Sequence, residues 1–465
     1  MKKSLFILSL FSLIFTAKSQ EISKVSPDDK PDMTWFNEAK LGIFVVWGIY
    51  SVNGIAESWS FYNHEISHTD YLKQLDGFTA ENYNPNKWAS LFKEAGAKYA
   101  VLTTKHHDGV ALWDTKLSDL NVVKRSPAKR DLIQPYCDAL RKEGLKVGLY
   151  FSHLDWSHPD YPSVFNALTR KNWNANERSG ISEFSFPING NEDTKAWERF
   201  RTFHIGQLKE LSLYFKPDLF WFDGDWERDD DQWDMKDLRF NLRKWNGKNV
   251  ILNARMRGYG DYETPEQAVP ITPPHGPWEF CMTINHAWGY RIPDIHYKPI
   301  GEIIKTFADI IGMGGNLLLD VGPKPDGTIP DKQVFTLKEL GKWIKKHEEA
   351  VYSTVRGMPF GHFSGPTSFS KDSSTIYLYY FDSPRGEISV KGIRNKVKNI
   401  RIVGDSSNDK LKYRISGGAP WLNIPGIIMI DLPLDKLDEH VTVIALELEG
   451  ERSIYHGSGG AIEVN

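Results

Sequence analysis

Pro217-Asp218-Leu219-Phe220-Trp221-Phe222-Asp223-Gly224-Asp225-Trp226 carries the pattern from which the rest of the chain is read. Leu219 to Phe222 is a short apolar, aromatic run, the signature of a buried strand. Helical sequence precedes it, Pro217 punctuates the entry, and Gly224 lets the chain turn after Asp223. A carboxylate at the C-terminal end of a strand in an α/β chain sits where barrels and open sheets place their chemistry. Asp-Gly is also an ordinary turn pair, so the aspartate alone reads equally well as a turn or a site. Trp221 and Trp226 beside it favour a site, because aromatic faces next to a carboxylate suit a sugar ring.

Outward from this strand the chain alternates between strand and helix. Residues 41–48 form a continuous apolar run, as in a parallel strand buried on both faces. Asn84-Pro85 then opens a helix that runs to about residue 97. Further strands are expected at 99–104, 146–152, 249–253, 278–282 and 316–321, with helices at 131–145, 194–215, 299–313 and 332–349 between or after them. That makes seven strands in βα alternation, with an eighth not located. Repeated units of this length imply a parallel sheet with helical crossovers. No Gly-rich dinucleotide fingerprint follows the first strand, and no phosphate-loop pattern occurs. The expected fold class is therefore α/β, a (β/α)8-like catalytic barrel over residues 20–352. Short β-rich runs at 375–381, 387–390, 397–403, 427–432 and 441–448 predict a C-terminal β-sandwich over 353–450, followed by a loosely held tail, 451–465.

The 465 residues exceed one ordinary domain, in keeping with a barrel plus a smaller module. A net charge of -3 leaves no basic footprint for nucleic acid or a membrane surface. The 16 tryptophans fit either a large core or a carbohydrate site. Lys2-Lys3, the apolar stretch 5–17 and Ala17-Lys18-Ser19 read as a secretory signal over residues 1–19, so the mature chain is expected in the periplasm or outside the cell. The apolar stretch is too short to span a membrane in the usual way. Cys137 and Cys281 are too few for a disulfide framework and are expected as buried thiols.

On a barrel, the strand-end residues converge on one face. They include Glu57, Trp59, His106, His107, Asp155, Trp156, Trp221, Asp223, Arg255, Glu279 and Trp288. Two carboxylates flanking an acetal carbon are the usual requirement for glycoside hydrolysis, one attacking or activating water and one protonating the leaving oxygen. Histidine and arginine supply oriented hydrogen bonds to hydroxyls. Each residue also has a plainer reading. His106-His107-Asp108 fits a metal cluster or satisfied structural histidines, Arg255 a partner for a neighbouring acid, and Glu279 a core ion pair. Their joint placement at successive strand ends is the stronger signal.

The segments LGIFVVWGIYSVNG, TTKHHDGVALWDT, GLYFSHLDW, WFDGDW, WEFCMTINHAWGY and GGNLLLDVGPKPDGTIP together resemble the α-L-fucosidases of glycoside hydrolase family 29. They spread over about residues 35–335, the whole expected barrel. The resemblance implies a retaining exo-hydrolase that releases terminal α-L-fucosyl residues from fucosylated oligosaccharides or polysaccharides, with no metal or organic cofactor. By the same resemblance Asp223 is the nucleophile and Glu279 the acid/base, with Glu57 a second acid near the sugar. It further places Trp59, His106, His107, Trp221, Arg255 and Trp288 against the substrate. Two positions depart from the family pattern. Val46 stands where a histidine usually precedes Trp-Gly, and Asp320 where asparagine is common. Loss of the imidazole admits a second expectation, the same chemistry on a fucose-like sugar such as α-L-galactose. A carbohydrate-binding protein without catalysis and a metal hydrolase are the remaining expectations.

Overall fold

A computed structural model of the chain describes residues 30–161, 194–246, 249–407 and 409–458. The secretory pattern at 1–19 lies outside the described residues. Among those described, no helix is long and apolar enough to cross a membrane.

Seven strands form one sheet: β1 (Leu41–Val45), β2 (Tyr99–Lys105), β3 (Lys146–Ser152), β4 (Leu219–Asp223), β5 (Ile251–Leu252), β6 (Glu279–Thr283) and β7 (Asn316–Val321). Their order is β5-β4-β3-β2-β1-β7-β6, and every neighbouring pair is parallel. Both faces are buried, which is why these runs are continuously apolar rather than alternating.

The gap between β5 and β6 is filled by residues 261–267, the element that periodicity did not find. Tyr262 bridges Asn253 on one side, while Glu263 and Glu266 bridge Trp278 and Cys281 on the other, all in parallel. The Asp261 amide donates to the Leu252 carbonyl at 2.7 Å, and the Glu279 amide donates to the Glu263 carbonyl at 2.9 Å. Cys281 N donates to the Pro265 carbonyl at 3.1 Å. Pro265 has no amide hydrogen and its neighbours are polar, so the segment closes the ring with few ladder bonds and no apolar signature.

Helices cover the outside of the ring. Pro85–Glu94 starts as the sequence predicts, with the Asn84 side chain accepting from the Lys87 amide and Pro85 in the first turn. Thr194–Phe215 and Met235–Asn246 flank β4, and the second of these had no counterpart in the sequence reading. Ile133–Lys142, between β2 and β3, together with Ile300–Gly312 and Asp331–Lys346, completes the ring.

The C-terminal strands make a five-stranded and a three-stranded antiparallel sheet. Alternation along residues 375–380 explains the packing. Ile376 and Leu378 point into the interior between the sheets with Ile444 and Leu446, each contributing about 1.5–3 kcal/mol of burial. Tyr377 and Tyr379 point the other way and belong to the barrel's core. The Tyr379 hydroxyl donates to the Ala350 carbonyl at 2.6 Å. These tyrosines are thus domain contacts rather than open platforms for sugar. The described part of the tail, 451–458, is better held than expected, because Ile454 bridges Ile393 and the Ser453 amide donates to Asn395 Oδ1 at 2.7 Å. Cys137 and Cys281 are buried free thiols, as expected.

Candidate active site

Asp223 is the last residue of β4 and is buried at the C-terminal mouth of the ring. Gly224 follows with φ of +80°, the left-handed region that a side chain avoids, and a Cβ there would run into Leu154. This turn aims the Gly224 amide back at Asp223 Oδ1 at 2.9 Å. Arg255, just beyond β5, places Nη1 on the same oxygen at 2.5 Å. Asp223 Oδ2 accepts from the Tyr150 hydroxyl at 2.9 Å, and His107 Nε2 lies 3.7 Å away.

Adjacent histidines on a regular strand would face opposite ways. His106 and His107 escape this because β2 carries a bulge between Thr103 and Lys105 and ends before them. Their rings lie 4.2 Å apart, and a ring nitrogen of each falls within 4.8 Å of an Asp223 oxygen. Ser58 Oγ holds His106 Nδ1 and Ser152 Oγ holds His107 Nδ1, both at 2.6 Å. Ser152 spends its own proton on the Leu154 carbonyl at 2.9 Å. His107 Nδ1 must then be the donor, which assigns the tautomer with a bare Nε2. That nitrogen is buried without a hydrogen-bond partner, a state expected where a ligand hydroxyl completes the network.

Burial alone would raise the Asp223 carboxyl, but the Arg255 guanidinium, with smaller contributions from His107 and His106, holds it down to about 2. Burial also pushes the His107 imidazole down to about 4, so it is neutral near pH 7 and Arg255 supplies the positive charge. The guanidinium also lies over the Trp221 ring, 4.7 Å from its centroid. Although His106, His107 and Asp223 have metal-ligand spacing, a dication there would have to share Asp223 with a guanidinium already bound to it. The donor set does not favour a metal at this point.

The other expected residues form the rim and wall. Glu57 is buried, with Oε1 accepting from the Gly289 amide, and so fixes the loop that carries Trp288. Trp288 and Trp221 both meet Phe44, at 5.8 and 5.0 Å between ring centroids. Trp59 packs on His107 at 5.5 Å and on Trp156 at 5.1 Å. Asp155 is not a free acid but is buried in an ion pair with Lys105 at 3.1 Å.

Glu279 does not join this group. It is the first residue of β6, not the last, and is fully buried at the opposite end of the ring. Its oxygens accept from Tyr99, from Trp221 Nε1 at 2.9 Å and from the Tyr262 hydroxyl at 3.5 Å. None of these partners touches Asp223. Gly42 makes the arrangement possible, since a Cβ there would collide with the Tyr99 ring. Burial raises the Glu279 carboxyl to about 7. A shifted value does not make an acid/base without reach to the reacting atoms, and here the burial that causes the shift also denies access. The assignment of Glu279 as acid/base is therefore corrected to a structural carboxyl.

A stability prediction follows from that burial. Below pH 4.5 both folded and unfolded chains keep this proton, so Glu279 contributes nothing. Between 4.5 and about 7 only the unfolded chain releases it, so stability falls as pH rises, by about 3 kcal/mol at most. Glu279→Gln is expected to flatten the denaturation midpoint across that window and to leave turnover within about tenfold of wild type, against the 10²–10⁴-fold loss of a missing acid/base. A loss of that larger size in the folded variant would return Glu279 to the chemistry.

The carboxylate that does reach the mouth is Glu266, on the closing segment 261–267. Its Oε2 receives Arg255 Nη2 at 2.5 Å, and its side chain is 37% exposed. Asp223 and Glu266 thus bracket one guanidinium. Tyr150 and Glu266 were absent from the sequence reading. Tyr150 had a signal, because it is the register partner of Trp221 and shares its face. The signal for Glu266 was the unfilled strand position between 253 and 278.

A closed parallel ring whose C-terminal mouth holds an ionised aspartate, a second carboxylate across a guanidinium, and aromatic walls defines a barrel glycosidase. A family model described as Alpha-L-fucosidase matches residues 11–349, and the chain belongs to that family. It is 33% identical over 361 residues to tissue alpha-L-fucosidase of Mus musculus, covering 71% of this chain and 73% of that protein. Alpha-L-fucosidase isoenzyme 1 from Paenibacillus thiaminolyticus superimposes with a TM-score of 0.76 at 31% identity, over 90% of this chain and 99% of that one. An alpha-L-fucosidase from Bacteroides thetaiotaomicron, trapped as a covalent intermediate with 2-fluoro-fucosyl fluoride, has a TM-score of 0.76 at 26% identity over 93% and 98%.

Proposed function

We propose that the chain is a retaining exo-α-L-fucosidase in which Asp223 is the nucleophile and Glu266 the acid/base. The observation that carries this is the shared guanidinium, with Arg255 Nη1 on Asp223 Oδ1 and Nη2 on Glu266 Oε2, each at 2.5 Å. Two carboxylates bracketing one guanidinium fit the ~5–5.5 Å spacing of a retaining pair. Asp223 Oδ1 takes two donors, Arg255 and Gly224, whereas Oδ2 takes only the Tyr150 hydroxyl, so Oδ2 keeps a lone pair to form the bond to the anomeric carbon. As the C1–O bond breaks, Glu266 gives its proton to the leaving oxygen. Water then attacks the glycosyl ester, Glu266 takes the water's proton, and Asp223 leaves as carboxylate. His106 and the bare His107 Nε2 hold ring hydroxyls, while Phe44, Trp221 and Trp288 face the apolar side of the sugar.

The substrate class is a fucosylated oligosaccharide or polysaccharide, and no step calls on a metal or organic cofactor. The Lys2-Lys3 and 5–17 pattern supports export through a signal peptide to the periplasm or beyond. The assignment is tested by trapping with 2-fluoro-fucosyl fluoride and mapping the labelled peptide. A fucosyl adduct on Asp223 is expected, and an adduct on another carboxylate, or hydrolysis with inversion, would overturn it. An α-L-galactoside assayed beside the fucoside reads out what Val46 does to the pocket.

A further inference from the structure

The loop between β6 and the helix Ile300–Gly312 folds back on itself, and one carboxylate ties its two arms. Asp294 Oδ2 accepts from Asn285 Nδ2 at 2.7 Å and from the His286 and Ala287 amides at 2.8 Å each. Oδ1 has only the His296 amide, at 3.4 Å. Two exposed imidazoles flank this carboxylate, His286 from one arm and His296 from the other. Their rings lie parallel within 10°, 5.4 Å apart. One ligand atom from each of His286, Asp294 and His296 lies within 4.8 Å of the other two. The catalytic residues take no part in this cluster.

We propose that His286, Asp294 and His296 form a binding site for a transition-metal dication, zinc foremost, with water in the fourth position. Two imidazoles and one carboxylate suit Zn²⁺, Ni²⁺ or Cu²⁺, whereas Mg²⁺ and Ca²⁺ take oxygen ligands. With bonds of ~2.0–2.2 Å, donors on a tetrahedral ion stand ~3.4 Å apart. Two exposed histidine side chains reach that spacing by turning about their own χ angles, with Asp294 already fixed by its backbone donors. The ion closes the neck of the loop that presents Trp288 to the pocket and the Gly289 amide to Glu57. It acts as a staple on the rim and supplies no chemistry to the reaction, so the inference stands or falls independently of the assignment of Asp223 and Glu266.

The test is calorimetric titration of tag-free, chelator-treated protein with ZnCl2, with MgCl2 as the comparison. Wild type is expected to bind one equivalent of zinc and no magnesium, and its melting midpoint is expected to rise with zinc. His286→Ala and His296→Ala should each lose that equivalent and the thermal shift while hydrolysing fucoside as wild type does without metal. Absence of zinc binding up to about 1 mM, or full retention of the equivalent in either variant, overturns the site. Zinc held instead at His106, His107 and Asp223 would survive both substitutions and block turnover, and that outcome overturns it equally.

Discussion

Asp223→Ala is expected to lower turnover of an aryl α-L-fucoside by about 10⁴-fold or more, the scale of removing a covalent nucleophile, in a chain that still folds. The variant keeps the ring intact because Arg255 retains Glu266 at 2.5 Å and the backbone of β4 pairs on both sides. The whole carboxylate disappears, both the oxygen that forms the glycosyl ester and the one that accepts from Arg255 and Gly224. Adding azide should restore turnover and yield β-fucosyl azide, since the small anion attacks from the face that Asp223 vacated. Measuring kcat, the azide product and the circular dichroism of the same preparation decides the point. A folded variant with more than a hundredth of wild-type activity would remove Asp223 from the mechanism. The pH profile adds a separate check. Asp223 is held near 2 by Arg255 despite its burial, so it is ionised wherever activity is measurable. The same depression stabilises the fold above an ordinary aspartate value and is lost as pH falls toward 2. An acidic limb in the rate profile at higher pH therefore belongs to another group.

Much of this architecture was legible because parallel strands buried on both faces are continuous apolar runs. β1, β2, β3, β4 and β7 all announce themselves in that way, and Asp223 follows from being the residue that ends one. The closing segment 261–267 did not, because Asp261-Tyr262-Glu263-Thr264-Pro265-Glu266-Gln267 has neither apolar period nor uninterrupted amide donors. Missing that element also hid Glu266, and the acid/base role then fell to the nearest glutamate in a familiar motif. Direction along the strand would have argued against Glu279, since a residue that starts a parallel strand cannot stand at the C-terminal mouth. His106 and His107 illustrate the reverse case. Strand alternation counted against their acting together, and a bulge that no pattern revealed brings both to Asp223. Val46 and Asp320 were visible as departures, and packing gives them a consequence. Asp320 is buried with neither oxygen hydrogen-bonded, the Val46 amide, the Lys298 ammonium and the Val321 amide ease its charge without overcoming the burial, and Tyr50 keeps an unpartnered hydroxyl close by. An aliphatic side chain at position 46 offers neither of them a partner.

Glu266→Ala should separate the two half-reactions that this carboxylate serves. A substrate with a poor leaving group, such as a fucosyl disaccharide, needs the proton as the C1–O bond breaks, and its kcat/KM should fall by about 10²–10⁴-fold. An aryl fucoside with a good leaving group forms the ester without that proton, so its loss should appear in the hydrolysis of the ester. A burst of released phenol, followed by slow turnover, is the expected trace. Azide should then accelerate the second step and give α-fucosyl azide, of retained configuration, because it attacks an intact Asp223 ester and needs no general base. The β-azide from Asp223→Ala and the α-azide from Glu266→Ala are opposite stereochemical outcomes from one reagent, which makes the pair more informative than either rate. Glu266 also shares Arg255 with Asp223, so some of the loss comes from changing the guanidinium's allegiance. Glu266→Gln keeps a polar contact to Arg255 but cannot give or take the proton. Equal losses in the Ala and Gln variants place the effect in proton transfer, whereas recovery in Gln would reduce Glu266 to a residue that positions Arg255.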